Sequence, residues 1–364
     1  MPRISRYARQ VGRLFLGLAA LPVALLYGVG VSIRNWLYDR GWLPVYRLPC
    51  VVVSVGNLTL GGSGKTPFAL YLLEWFSNRG IRAAYLSRGY GRQTRGFAEV
   101  SLATPQAAAM YGDEPCLAKV RFPHLPVAVC EDRVAGGREL LQRYPHLKVI
   151  VLDDAFQHRR LHRNLNILLI DMQRPIWKDW IFPLGRLREP LRAYRRADLI
   201  VLNRKSLDKV LRRPRFHKPT LEFKYAVAGL RPAWPHLPSL SVDDIRFRGV
   251  LVFCGIARPD SFYTTLYQAK AYVLKEMRFP DHHLYTDSDL RRIRRAYHRC
   301  ETRLRGTNLI LLTTEKDLVR LRESEHYHIL EGLPLYAVQI AMVPTNPSET
   351  DELLTRFFQN LLES

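Results

Sequence analysis

The stretch Val51-Val52-Val53-Ser54-Val55-Gly56-Asn57-Leu58-Thr59-Leu60-Gly61-Gly62-Ser63-Gly64-Lys65-Thr66-Pro67 decides how the rest of the chain is read. A β-branched run ends in a glycine-rich turn, and Gly-Lys-Thr follows at once. An amphipathic pattern then begins with Phe68, Leu70, Leu72, Leu73, Trp75 and Phe76, which predicts a helix. Strand, glycine loop and helix in this order make a phosphate cradle. Glycines carry no Cβ, so successive backbone N–H groups can turn toward phosphate oxygens. Lys65 supplies a point charge for the β- and γ-phosphates, and the Thr66 hydroxyl suits Mg²⁺. The residues expected to hold a nucleotide are Thr59, Leu60, Gly61, Gly62, Ser63, Gly64, Lys65 and Thr66. One position departs from the usual G-x-x-x-x-G-K-[ST]: Thr59 stands where the first glycine belongs, with Gly61 and Gly62 crowded mid-loop. The competing reading, a glycine turn beside a chance Gly-Lys-Thr, leaves the strand, loop and helix order unexplained.

At 364 residues the chain can bury a sizeable core and is expected to hold two domains. Its 47% hydrophobic and 24% charged residues are globular values. The formal net charge of +22 implies an acidic partner: nucleic acid, an anionic membrane or a phosphorylated substrate. Five scattered cysteines, with no C-x-x-C spacing, argue against a disulfide framework or a zinc site and fit a reducing compartment.

Upstream of the cradle, Arg3, Arg6, Arg9 and Arg13 precede an uncharged run from Leu14 to Ser32. Pro22 and several glycines interrupt that run. Arginines flank both ends, so the positive-inside rule gives no orientation. The favoured reading is a helix over 11–33 that lies in or crosses a membrane, with Trp36, Tyr38 and Trp42 at the interface. A buried core helix and a cleaved leader are the alternatives.

From Leu48 to Arg204, short apolar runs alternate with helical patterns. Strands are predicted at 50–56, 83–87, 127–131, 148–153, 166–171 and 198–203. This alternation predicts an α/β domain with a doubly wound, mainly parallel sheet, whose ligands gather at the carboxyl ends of the strands. The segment 205–247, with Pro214, Pro219, Pro232, Pro235 and Pro238, reads as a connector holding one strand at 220–228. A second, smaller α/β unit follows, with strands at 249–254, 272–277, 308–312 and 335–342 and no glycine cradle of its own. The expected organisation is an N-terminal membrane segment 1–45, a P-loop domain 46–204, a linker 205–247 and a smaller domain 248–364.

Polar residues behind the strands are the candidates for chemistry. Arg88 and Tyr90, in Ser87-Arg88-Gly89-Tyr90-Gly91, suit phosphate or sugar contact, or form a solvated basic turn. In Gly112-Asp113-Glu114-Pro115 the carboxylates read locally as a helix cap, and otherwise as a base or a metal ligand. Leu152-Asp153-Asp154-Ala155-Phe156-Gln157-His158 ends an apolar strand in aspartate, the Walker B arrangement. There Asp153 can hold the Mg²⁺ shell and Asp154 can orient water or substrate, with Gln157 near the phosphates. Arg186 and Arg188 either clamp phosphates or belong to a solvated basic face. Asp281-His282-His283 has no third ligand spaced for a metal, which leaves acid–base work or a surface pair.

Together these segments resemble one family, the tetraacyldisaccharide 4′-kinases of lipid A synthesis. The resemblance runs from the apolar N-terminal stretch to Asp317. It rests on Gly56-Asn57-Leu58-Thr59 leading into Gly61 to Pro67, on the segments at 87–91, 112–115 and 152–158, on Leu187-Arg188-Glu189-Pro190 and Phe279-Pro280-Asp281-His282-His283, and on Thr314-Glu315-Lys316-Asp317. It also accounts for Thr59, since that family's loop takes this form. The resemblance implies a monotopic kinase that uses ATP and Mg²⁺. The implied reaction is on the 4′-hydroxyl of a lipid A disaccharide 1-phosphate, at the cytoplasmic face of the inner membrane of a Gram-negative bacterium. It implies an acid–base pair of Asp113 and His282, which overrules the local reading of Asp113 as a cap. Thr66, Asp153 and Glu114 are then the expected Mg²⁺ residues, and Arg88, Tyr90, Asp154, Gln157, Arg186 and Arg188 the expected substrate contacts.

Two other classes compete. A membrane-recruited P-loop ATPase switch would share the cradle, but Asn203-Arg204-Lys205-Ser206 lacks the closing Asp of a guanine-reading motif. A nucleic-acid-dependent ATPase fits the charge but not the long uncharged stretch, so no nucleic-acid partner is expected.

Overall fold

Every residue of Val51–Gly56 is buried, because this strand is covered on both faces. Val51, Val53 and Val55 face one apolar cluster and Val52 faces another. The computed structural model describes residues 3–104, 106–205, 215–256, 259–304 and 308–363, without the side chains of 3–19, 205 and 247. The N-terminal arginine side chains, Ser206 and Pro214 therefore lie outside the described residues.

In chain order the main elements of the N-terminal half are α1 (Arg3–Asp39), β1 (Val51–Gly56), α2 (Lys65–Ser77), β2 (Ala83–Ser87), β3 (Ala98–Glu99), α3 (Ala107–Tyr111), α4 (Asp113–Arg121), β4 (Val127–Val129), α5 (Arg133–Arg143), β5 (Val149–Asp153), β6 (Leu165–Asp171) and β7 (Leu199–Lys205). The C-terminal half continues with β8 (Thr220–Pro232), β9 (Gly249–Cys254), α6 (Pro259–Gln268), β10 (Tyr272–Arg278), α7 (Asp287–Arg303), β11 (Leu309–Thr314), α8 (Glu315–Arg322), β12 (Leu335–Pro344) and α9 (Pro347–Glu363).

The expected mixed α/β architecture with a mostly parallel sheet is present. The strands form one twelve-stranded sheet in the order β10-β9-β11-β12-β8-β7-β6-β1-β5-β2-β4-β3. Neighbours are parallel except at β8–β12 and β3–β4. Helices cover both faces in each half. On the N-terminal side, α2 and α4 contribute Phe68, Leu72, Leu73 and Cys116 to one cluster, while α5 contributes Val134 and Leu140 to the other. On the C-terminal side, Leu251 and Phe253 face α7, and Val250 and Val252 face α6.

β8 does more than connect. It pairs with β7 in parallel and with β12 in antiparallel, so the seam between the two halves is itself sheet. α9 crosses back over that seam, and its Leu354 and Phe358 complete the cluster under α2.

α1 projects from the N-terminal half. Ala20–Asp39 is long and apolar enough to cross a membrane, with hydropathy 1.2 and only 6% of the window buried. Its inner face is docked by polar contacts: Asn35 Nδ2 donates to Glu189 Oε2 (2.9 Å), and Arg159 pairs with Asp39 (2.6 Å).

Candidate active site

The loop between β1 and α2 turns at Gly61 and Gly64, both at φ 97°. α2 has no side-chain cap at Gly64, so its first N–H groups are left free of a capping side chain. The loop is braced from beneath. Buried Asn57 directs its amide to Thr59 Oγ1 (3.3 Å) and Gly61 O (3.5 Å), and buried Asn203 donates to Ser63 O (2.9 Å). Lys65 Nζ reaches Asn57 Oδ1 (3.3 Å) and Asp154 Oδ1 (3.5 Å).

Asp153 ends β5 beside β1, with Val55 opposite it in the register. Its Oδ2 accepts from Thr66 Oγ1 (2.7 Å) and Tyr85 OH (2.6 Å), while its buried Oδ1 has no partner. Burial pushes the Asp153 carboxyl above its ordinary range. An orphaned, desolvated carboxylate oxygen beside a threonine hydroxyl is a donor set that fits a hard divalent cation. Asp154 sits in left-handed backbone at φ 51°. Burial works to raise its carboxyl, but Lys65 and Arg188 hold it below the ordinary range. Arg188 Nη1 lies 3.0 Å from Asp154 Oδ1 and 3.5 Å from Gln157 Oε1, and Gln157 Nε2 donates to Asn57 O (2.8 Å).

A second cluster is built across the two halves. Gly112, at φ 97°, starts α4 and puts Asp113 and Glu114 in its first turn. His282, in left-handed backbone at φ 56°, places Nδ1 2.9 Å from Asp113 Oδ2. The Arg320 guanidinium binds both Asp113 oxygens and lies 3.2 Å from His282 Nδ1. Burial raises the Asp113 carboxyl, and the Arg320 bonds and charge more than offset this, so it sits below its ordinary value. Arg320 is held in turn by Gly255 O (2.8 Å) and Asp317 Oδ1 (3.4 Å). Asp317 is wholly buried and accepts from Gly255 N, Tyr285 OH and Thr314 Oγ1.

A family model described as tetraacyldisaccharide-1-P 4′-kinase matches residues 16–359. The chain belongs to that family. Among its curated relatives, the tetraacyldisaccharide 4′-kinase of Cytophaga hutchinsonii is 36% identical, over 95% of this chain and 99% of the relative. That of Desulfatibacillum aliphaticivorans is 37% identical, over 88% of this chain and 87% of the relative. A crystal structure of LpxK from Aquifex aeolicus in complex with ATP superposes with a TM-score of 0.75 at 33% identity, covering 94% of this chain and 99% of that one.

The fold joins Thr59, Lys65, Asp154, Gln157 and Arg188 in one network through Asn57, and sets the Thr66–Asp153 pair beside it. Arg88 and Tyr90 are exposed on the turn after β2. Glu114 is ion-paired to Lys316 from the other half rather than to a Thr66 or Asp153 atom. Arg186 is paired with Asp179 (2.7 Å) rather than with Asp154. His283 turns away from Asp113 and pairs with Asp289 (2.9 Å). Five residues of the two clusters were missed as site residues from the sequence: Asn57, Tyr85, Arg133 and Asn203 around the loop, and Arg320 beside Asp113. Arg133 is buried and donates to the Asp153 carbonyl (3.4 Å). Its only sequence signal was a charged residue at the head of a helix behind a strand.

Proposed function

We propose that this kinase transfers the γ-phosphoryl group of ATP to the 4′-hydroxyl of a lipid A disaccharide 1-phosphate, working at the bilayer surface on the cytoplasmic side of the inner membrane. The observation that carries this reading is the Asp113–His282 contact of 2.9 Å, made between residues of the two halves and clamped by Arg320. It gives a buried, ionised carboxylate next to an imidazole, the pair a hydroxyl acceptor needs. Asp113 takes the hydroxyl proton while that oxygen bonds to the γ-phosphorus and the bond to ADP breaks. His282 shares and passes on the proton.

The loop 59–66 acts as a P-loop: its backbone N–H groups and Lys65 hold the phosphates. Thr66 and Asp153 would hold Mg²⁺, which neutralises phosphate charge when bound. Glu114 serves that shell only if it leaves Lys316. Arg188, with Arg88, Tyr90, Asp154 and Gln157, faces the substrate, and Arg186 supports that loop through Asp179. The apolar outer face of α1 seats the enzyme on lipid.

Incubation of the protein with radiolabelled ATP and a lipid A disaccharide 1-phosphate tests this. Label in the lipid is the expected result. No labelled lipid, with ATP hydrolysis stimulated by nucleic acid instead, rejects the reading.

A further inference from the structure

The segment from Asp179 to Glu189 touches two things at once. On one side it meets α1. The Tyr27 hydroxyl donates to Arg188 O (2.9 Å), and the Tyr27 and Phe182 rings meet edge-on at 5.8 Å. A Cβ on Gly28 would stand 3.2 Å from Ile181 Cδ1, so helix and loop are in close contact. On the other side it is hydrogen-bonded to the nucleotide loop. Leu60 N donates to Arg186 O and Arg188 N donates to Leu58 O, both at 2.7 Å, with Thr59 and Leu187 bridged between them.

The segment is internally fixed. Leu187 N and Trp180 O, and Phe182 N and Leu187 O, are bonded at 2.9 Å. Asp179 clasps both the backbone and the side chain of Arg186. Its tip nevertheless presents large apolar side chains to solvent: Trp180 is 70% exposed and Phe182 43%. A soluble surface gains nothing from an exposed Trp-Phe pair on a rigid loop. The patch is continuous, through Tyr27 and Phe182, with the apolar outer face of α1, where Leu25 and Leu26 are 61% and 74% exposed. The exposed cations Lys178, Arg192 and Arg195 flank this segment in the chain and have no acidic partner among the described residues. Apolar tips with unpaired cations nearby fit an anionic lipid surface.

We propose that this loop is a second bilayer-seated element, which couples contact with anionic lipid to the order of the nucleotide loop. This rests on the reading of α1 as membrane-associated. The coupling runs through the two 2.7 Å backbone bonds, and through Arg188, which fixes Asp154 and so Lys65. Trp180 and Phe182 are positioning residues in this scheme.

The test uses the full chain and vesicles of phosphatidylethanolamine and phosphatidylglycerol. Affinity for a fluorescent ATP analogue is measured with and without vesicles, for wild type and for Trp180→Ser/Phe182→Ser. In wild type, vesicles should tighten binding by roughly three- to tenfold, the factor for a competent loop populated about a tenth to a third of the time in solution. The double variant should still sediment with vesicles through α1 but lose the tightening. Brominated lipid should quench wild type more than Trp180→Phe. Equal tightening in wild type and variant, or sedimentation of wild type without tightening, overturns the coupling while leaving α1's role intact. Failure of wild type to sediment overturns both. Quenching unchanged by Trp180→Phe overturns the seating of the loop in lipid, the result expected if a protein partner covered it.

Discussion

Arg320, from the C-terminal half, grips both carboxylate oxygens of Asp113, from the N-terminal half, with Nε 3.3 Å from Oδ1 and Nη2 on Oδ2. The proposed acid–base pair is therefore part of a triad in which the cation sets the carboxylate's proton affinity. Burial alone would lift the Asp113 carboxyl, and Arg320 brings it under its ordinary 3.8. Replacing Arg320 by Met should move the acid limb of kcat/KM to higher pH and lower kcat by about 10²-fold. Arg320→Lys should restore part of the shift but not the two-point geometry. A pH–rate profile with an unmoved acid limb would exclude this role. The same pair stabilises the fold above the unfolded carboxyl value, and that contribution is lost as pH falls through the lower folded value.

Asp113 and His282 should behave as one unit. Each single alanine variant is expected to lower kcat by roughly 10²- to 10⁴-fold with little change in ATP binding. The double variant should lose no more than the worse single one, because removing either member already disables the pair. Losses that multiply would show two independent roles.

Gly64 is the position in the loop least able to accept a side chain. Its φ of 97° is left-handed, and an added Cβ would stand 2.9 Å from the Tyr225 hydroxyl and closer still to the Asn203 amide that holds Ser63. Gly64→Ala should cost about 1–3 kcal/mol of local strain and appear as weakened ATP binding by calorimetry. Wild-type affinity would mean that the loop re-forms without this turn.

Asp317 ties α8 to the backbone after β9 and to Tyr285. It accepts four bonds from buried partners, including Thr314 Oγ1 (2.6 Å) and Gly255 N (3.1 Å). Asp317→Ala should destabilise the protein by about 3–5 kcal/mol in denaturant titration, since Arg320 loses one of its two buried carboxylates and the Gly255, Tyr285 and Thr314 donors lose their buried acceptor. Asp243→Ala, which removes only an exposed pair, should stay within about 0.5 kcal/mol of wild type. Equal effects of the two substitutions would remove Asp317 as an anchor.

The strands were legible because burial on both faces demands apolar runs such as Ile167–Ile170, in which every residue is buried. β8 was only half legible. Its Glu222, Lys224 and Arg231 reflect a half-exposed strand, and Pro232 with the prolines that flank it marked a connector although it pairs on both edges. The loop and the aspartates after the strands announced themselves by residue type and place. Arg320 did not. In a chain with 55 Lys and Arg residues nothing local distinguishes one arginine; only its i,i+3 spacing from Asp317 carried a signal. Glu114 has its counter-ion, Lys316, 202 positions away, and Arg186 pairs with Asp179 across a turn, so neither pairing could be read from motif position.

The return of α9 across the seam has a consequence for biosynthesis. Trp75 on α2 donates its indole N–H to Asp351 (2.8 Å), 276 positions later in the chain, and the Trp75 and Phe76 rings both meet Phe358, with centroids 5.3 and 4.7 Å away. A ribosome adding about 5–20 residues per second leaves this apolar face of α2 uncovered for roughly 15–55 s. During that interval the nascent N-terminal half should need a holder, whether a chaperone or the lipid surface proposed for α1. Pulse proteolysis of stalled nascent chains would read this directly: cleavage in α2 should persist until α9 has emerged, and earlier protection would show that the half-sheet closes alone.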